Sequence, residues 1–72
     1  MELSERLREL RAEHKETQVR VAEAVGMTSR QYQGLEAGTS VPNFHNLCAL
    51  ADHFGVSLDY LTGKTNSPVP GM

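Results

Sequence analysis

Four segments of this chain open on a residue that can cap a helix and close on glycine: Thr17 to Gly26, Thr28 to Gly38, Asn43 to Gly55 and Ser57 to Gly63. Side-chain oxygens of Thr, Asn and Ser accept from the backbone N–H groups that the first turn of a helix leaves unpaired. Glycine readily takes the left-handed backbone that ends a helix. A chain punctuated in this way is limited to short helices joined by tight turns. No strand signal or internal repeat competes with that reading.

The apolar spacing fits the punctuation. Leu3, Leu7 and Leu10 recur at helical intervals with Glu and Arg between them, which predicts an amphipathic helix over residues 3–14. Glu2 and Arg6 stand four apart in the favourable order for a surface pair on that helix. A second helix over 18–25 should bury Val21, Ala22 and Val25, and a third over 29–37 should bury Tyr32 and Leu35. Thr28-Ser29-Arg30-Gln31 has the form of a capping box, so the third helix has a well-marked start. Pro42 forces Val41 out of the helical region, leaving 39–42 as a connector. A fourth helix over 44–54 then carries the stripe Phe44, Leu47, Cys48, Ala51 and Phe54, and a fifth over 58–62 carries Leu58 and Leu61. The expected fold is all-α: one compact five-helix domain over 1–64, followed by a disordered tail over 65–72 that contains two prolines.

Size and charge narrow the classes. A chain of 72 residues holds one small core. The single cysteine, Cys48, excludes an internal disulfide and fits a reducing, cytoplasmic setting. No apolar run approaches a membrane span and no secretory signal is present, so a membrane role is not expected. The net charge of −2 argues mildly against a nucleic-acid partner. However, six of the seven Lys and Arg residues fall within the first 30 positions.

Two helices meeting at Val25-Gly26-Met27-Thr28, with the second opened by a capping box, make the arrangement of a helix-turn-helix. Leu-Arg-Glu-Leu-Arg at 7–11, Thr-Gln-Val-Arg-Val-Ala-Glu-Ala-Val-Gly at 17–26, Tyr32, Leu-Glu-Ala-Gly at 35–38, Pro42 and Phe-Gly-Val-Ser-Leu-Asp-Tyr-Leu-Thr-Gly at 54–63 occur in order along the chain. In these blocks the sequence resembles the phage-repressor and Cro type (XRE-type) of helix-turn-helix domain, over roughly residues 3–64. The resemblance implies a repressor-like fold and a transcriptional regulator that occupies operator DNA, usually as a homodimer on paired half-sites. It implies that Gln18 grips a phosphate, and that Thr28, Ser29 and Arg30 enter the major groove with Arg30 as the foremost base reader. Gln33, one turn along the same face, is the next candidate. Arg11 and Glu36 match an ion pair that joins the first helix to the third.

The chain also departs from the family pattern. Gly34 stands where relatives often carry a long DNA-reaching side chain, and the connector 39–42 lacks the basic residues frequent there. Glu16 occupies a position that is usually apolar. These departures support an alternative: a protein-interaction module of antitoxin or anti-repressor type on the same fold, with weak or no DNA binding. If Gly34 merely omits a contact from ordinary helix, Gly34→Ala should stabilise the fold by about 0.5–1 kcal/mol, whereas destabilisation, or lost DNA binding with the fold intact, would show that the missing side chain is needed for close approach.

Other chemistry has little footing. His14, His45 and His53 lack metal-ligand spacing, so neither a metal nor a cofactor is expected. Cys48 reads as a packing residue, and no catalytic constellation or small-molecule effector site is legible, so an enzyme is not expected. Any dimer should form through the domain itself near the last two helices, where Leu58 and Tyr60 are the candidate surface and Tyr60 reads equally well as core.

Overall fold

The computed structural model describes residues 2–66. It contains helices α1 (Leu3–Glu13), α2 (Gln18–Val25), α3 (Ser29–Ala37), α4 (Phe44–Phe54) and α5 (Leu58–Leu61), with no strand among the described residues. The capping oxygens act where the sequence places them: Thr17 accepts from Arg20 N–H, Thr28 from Gln31, Asn43 from Asn46 and Ser57 from Tyr60. Gly26, Gly38 and Gly55 close α2, α3 and α4 with φ of 76°, 79° and 68°. Each such cap contributes on the order of 1 kcal/mol. In so small a domain that local contribution fixes where one helix stops and the next begins. No described helix is long and apolar enough to cross a membrane.

The five helices enclose one core, in which Tyr32, Leu7, Leu50, Leu61 and Val21 are the largest fully buried side chains. Full burial of each aliphatic side chain contributes roughly 1.5–3 kcal/mol. α3 packs against both α1 and α2, and α4 closes the core from the α2 side. The recognition-helix candidate is therefore braced by two neighbours before any ligand arrives.

Two surface expectations are corrected. Glu2 does not pair with Arg6; it caps α1 in a reciprocal box with Glu5, whose carboxylate accepts the Glu2 N–H at 3.1 Å. Arg6 is instead only 4% exposed. Its guanidinium lies 3.7 Å from the Tyr60 ring centre, donates to the Tyr60 carbonyl at 2.9 Å and pairs with Glu9 at 3.1 Å. Arg6 adjoins Leu7 on the buried edge of α1, so its stem follows the core while its head finds Tyr60 on α5. The short last helix is clasped to the first by this stack.

The stripe on α4 is also rotated from the expected one. Leu50, Ala51 and Phe54 are buried, Leu47 packs against them, and Cys48 is half-buried. Phe44 is 73% exposed. At about 100° per residue, Leu47, Leu50, Ala51 and Phe54 share one arc, and Phe44 and Cys48 fall to one side of it. Phe44 also sits in the first turn, where the helix has not yet reached its neighbours. Glu16 meets His53 instead of an apolar partner, at 2.8 Å, and the Phe54 ring takes edge contacts from His14 and His53. Of the expected tail, residues 67–72 lie outside the described residues, and Thr65 N–H still bonds back to the Asp59 carbonyl at 3.3 Å.

Candidate nucleic-acid interface

The corner between α2 and α3 is built from backbone. Gly26 N–H turns back to the Glu23 carbonyl at 3.3 Å and Met27 N–H to the Ala22 carbonyl at 2.9 Å. These bonds satisfy the end of α2 while the left-handed Gly26 redirects the chain. Thr28 then starts α3: its hydroxyl accepts from Gln31 N–H at 3.1 Å, and the Gln31 carboxamide accepts from Thr28 N–H at 3.0 Å. Val25 and Tyr32 are buried beneath this corner, so the angle between the helices rests on packing as well as on the turn.

α3 divides cleanly by face. Tyr32, Leu35 and Glu36 are buried. Arg30, Gln33 and Ala37 are exposed on the opposite side, and Ser29 is half-buried at the start. Arg30 makes no ion pair among the described residues. The residues expected to read DNA thus share one solvent-facing surface, with Thr28 and Ser29 at its leading end. Arg20, exposed on α2, is the other cation of the two-helix unit.

Glu36 organises the inner face. Arg11 reaches it from α1 with two bonds, Nε to Oε2 at 2.6 Å and Nη2 to Oε1 at 3.0 Å. Gln18 Nε2 donates to Oε1 at 3.1 Å from the start of α2. Arg8 donates to the Glu36 carbonyl, and Arg11 also ties to the Glu16 carbonyl at 3.1 Å. Burial alone would push the Glu36 carboxyl up. Hydrogen bonding and charge from Arg11, with Gln18 and the nearby Tyr32 hydroxyl, outweigh burial and hold it below the usual carboxylate range. The Tyr32 hydroxyl is buried beside this group without completing a hydrogen bond. Burial, reinforced by the neighbouring Glu36 charge, pushes its pKa far up and keeps it neutral. One carboxylate therefore binds α1, α2 and α3 together. Gln18 is half-buried and turned to Glu36. Its carboxamide has two N–H groups, so one remains for another acceptor.

At Gly34 the structure favours close approach over a simple omission. The residue sits on the outer face of α3 one turn beyond Arg30, but its side-chain space is taken. A Cβ there would lie 2.5 Å from Ser40 Oγ, 3.3 Å from Ser40 Cβ and 3.5 Å from Thr39 Oγ1. The connector folds back over the helix because the Gly34 carbonyl accepts Thr39 N–H at 3.0 Å and Ser40 N–H at 3.2 Å. Ser40 Oγ ends a short, exposed side chain that can rotate aside, so only the Ser40 Cβ contact at 3.3 Å requires a small shift of the connector. Gly34→Ala is therefore expected to be near neutral in urea unfolding, its helix-propensity gain of about 0.5–1 kcal/mol offset by that shift. In a Ser40→Gly background the same substitution should stabilise, because the obstruction is gone. Equal stabilisation by Gly34→Ala in the wild-type and Ser40→Gly backgrounds would contradict this account. The feature legible beforehand was a mid-helix glycine; that Ser40 fills the space beside it was not.

Leu58 and Tyr60, the candidate dimer residues, are half-buried and pack against the core. Among the described residues, the exposed large apolar ones are Val19, Val41 and Phe44. An open cavity of about 340 Å³ lies between α3, the connector and the start of α4, with Met27, Leu35, Val41 and Pro42 in its lining.

Comparison with known proteins agrees with this geometry. A family model described as "Helix-turn-helix" matches residues 7–61. An uncharacterized HTH-type transcriptional regulator, YobD of Bacillus subtilis, is 41% identical over 66 residues, covering 92% of this chain and 59% of that protein. The CTXphi phage transcriptional repressor RstR of Vibrio cholerae is 33% identical over 64 residues, covering 89% of this chain and 57% of its own. The chain thus spans less than two thirds of these curated relatives. The solution structure of the DNA-binding domain of the P22 c2 repressor superposes with a TM-score of 0.81 at 31% identity, covering 85% of this chain and 80% of that one. The match runs from α1 through α5, with Gly26, Tyr32, Glu36 and Pro42 all inside it, and the chain belongs to the helix-turn-helix family.

Proposed function

We propose that this chain is a sequence-specific DNA-binding transcriptional regulator, a repressor that acts by occupying an operator. The observation that carries the reading is the split of α3: Arg30 and Gln33 face solvent, while Glu36 on the inner side is gripped by Arg11 and Gln18. A rigidly held helix with an open polar face can enter the major groove with its leading end, Thr28 to Arg30, against base edges. Gln18 bonds Glu36 with one amide hydrogen and offers the other to a phosphate at the start of α2. Two copies on paired half-sites supply the affinity that one small interface lacks, and the parts of Leu58 and Tyr60 that α5 leaves outside the core and the Arg6 stack form the dimer surface.

The charge account sharpens this reading. Of the seven Lys and Arg residues, Arg6, Arg8 and Arg11 are committed to internal contacts. Arg20 and Arg30 are the cations left on α2 and α3. With about 0.9 counterions released per phosphate neutralised, the dependence of log affinity on log salt should have a slope of about −2 per domain. Titration of a fluorescent operator at several salt concentrations measures it. A slope several times steeper would place unrecognised cations in the interface.

A second reading, the same fold serving as a protein-interaction module, draws on the exposed Val41 and Phe44 beside an uncharged connector. A mobility-shift assay at low salt on DNA flanking the protein's own coding sequence separates the two. A shift resisted by random competitor DNA supports the regulator. Its absence at micromolar protein supports the interaction module.

A further inference from the structure

Gly34 and Ser40 form a matched pair on the face of α3 that carries Arg30. Residues 30 and 34 are four apart and stand one above the other on a helix surface. The slot that a side chain at 34 would fill is occupied by a hydroxyl delivered from the connector, since a Cβ on Gly34 would lie 2.5 Å from Ser40 Oγ. The connector is fixed there by three donors on the Gly34 carbonyl: Thr39 N–H at 3.0 Å, Ser40 N–H at 3.2 Å and Thr39 Oγ1 at 3.4 Å. Ser40 has therefore spent its backbone N–H on the helix, and its hydroxyl projects from an exposed residue with no protein partner among the described residues.

We propose that Ser40 is a specificity-determining residue for DNA, presented one turn beyond Arg30 in the place of the side chain that Gly34 lacks. This rests on the DNA-binding reading above. A hydroxyl both donates and accepts, so it can bond a base edge of either kind or a phosphate oxygen. It carries no charge and releases no counterion, so it strengthens recognition without steepening the salt dependence. Gly34 is what admits it: a Cβ at 34 would take the place of the hydroxyl, which must rotate or shift out of register with Arg30. Thr39, bonded to the same carbonyl, holds the connector in place and acts as a positioning residue.

The test uses the full chain and the DNA site selected by the wild-type protein from a random pool. Ser40→Ala should weaken binding to that site by about three- to tenfold, the effect of one hydrogen bond. It should relax base preference at one end of the half-site, with the salt slope and the urea midpoint unchanged. Gly34→Ala should weaken binding as well. Ser40→Gly/Gly34→Ala should be at least as stable as Gly34→Ala without regaining affinity, which a merely structural role for the pair would not produce. Wild-type affinity and base preference in Ser40→Ala would overturn the assignment while leaving the DNA-binding reading intact. Failure of the wild-type protein to select any site would overturn both.

Discussion

Arg11→Met should lose about 3–5 kcal/mol of stability near neutral pH, because removing one partner strands a buried carboxylate. The asymmetry of the pair sets the size of the effect. Arg11 retains 26% side-chain exposure whereas Glu36 retains 3%, so Glu36 cannot turn to water when its partner goes. Glu36→Gln should therefore cost less, about 1–3 kcal/mol, since the freed guanidinium can be hydrated. The pH dependence supplies a sharper signature. In the wild type the folded carboxyl lies below its unfolded value, so its stabilisation is present above the ordinary carboxylate range and is lost as pH falls through the folded value. In Arg11→Met, burial, the largest single influence, is opposed only by the Tyr32 hydroxyl and Gln18, and the shift should reverse. The carboxyl then lies above its unfolded value, and the penalty grows as pH rises through it. The deficit of the variant should consequently shrink between about pH 7 and about pH 4. Urea unfolding at both pH values measures it, and a deficit independent of pH would show that Glu36 is not the stranded group.

Arg30→Ala should leave the fold intact and reduce discrimination between the selected site and a single-base variant by roughly 5- to 150-fold, the loss of one bidentate base contact. Arg30 is exposed on α3 without an ion pair among the described residues, so nothing structural is removed with it. Alanine is also the better helix former at this position. The alternative role has a different signature. If the guanidinium grips a phosphate, affinity falls uniformly over all sequences and the salt slope drops by about one unit, with discrimination preserved. Preserved discrimination would thus move Arg30 from reader to anchor.

The fold was legible from residues that act locally. Caps at Thr17, Thr28, Asn43 and Ser57 and stops at Gly26, Gly38 and Gly55 work through neighbours within a few positions, and the helix ends fall at or within one residue of where those signals put them. The Arg11–Glu36 pair was legible only through family resemblance, because its partners are 25 positions apart and no local rule joins them. Three features were not legible at all. Arg6 reads as a surface cation until α5 arrives to place Tyr60 beneath it. Glu16 reads as a misfit until His53 comes from α4 to meet it. Gly34 reads as an omission or a close approach, and only the return of the connector shows that Ser40 is what stands beside it. Each depends on a contact between distant segments, which periodicity and capping do not encode.

The outer face of α3 shows the same division. Which residues face outward follows from the helical period once Tyr32, Leu35 and Glu36 are known to be inside. How firmly that face is held does not follow, since the brace is one carboxylate reached from α1 and α2. A helix braced at its inner face and capped at its leading end can present side chains to a groove with little conformational loss on binding.

Selection of bound fragments from a random DNA pool by the full chain tests the central claim, that α3 reads DNA sequence from its exposed face. The account predicts enrichment of a short motif, repeated as two half-sites, and loss of the motif's strongest base preference when the selection is repeated with Arg30→Ala. A pool that shows no enrichment for the wild-type protein, at low salt and with the fold verified by circular dichroism, would contradict it.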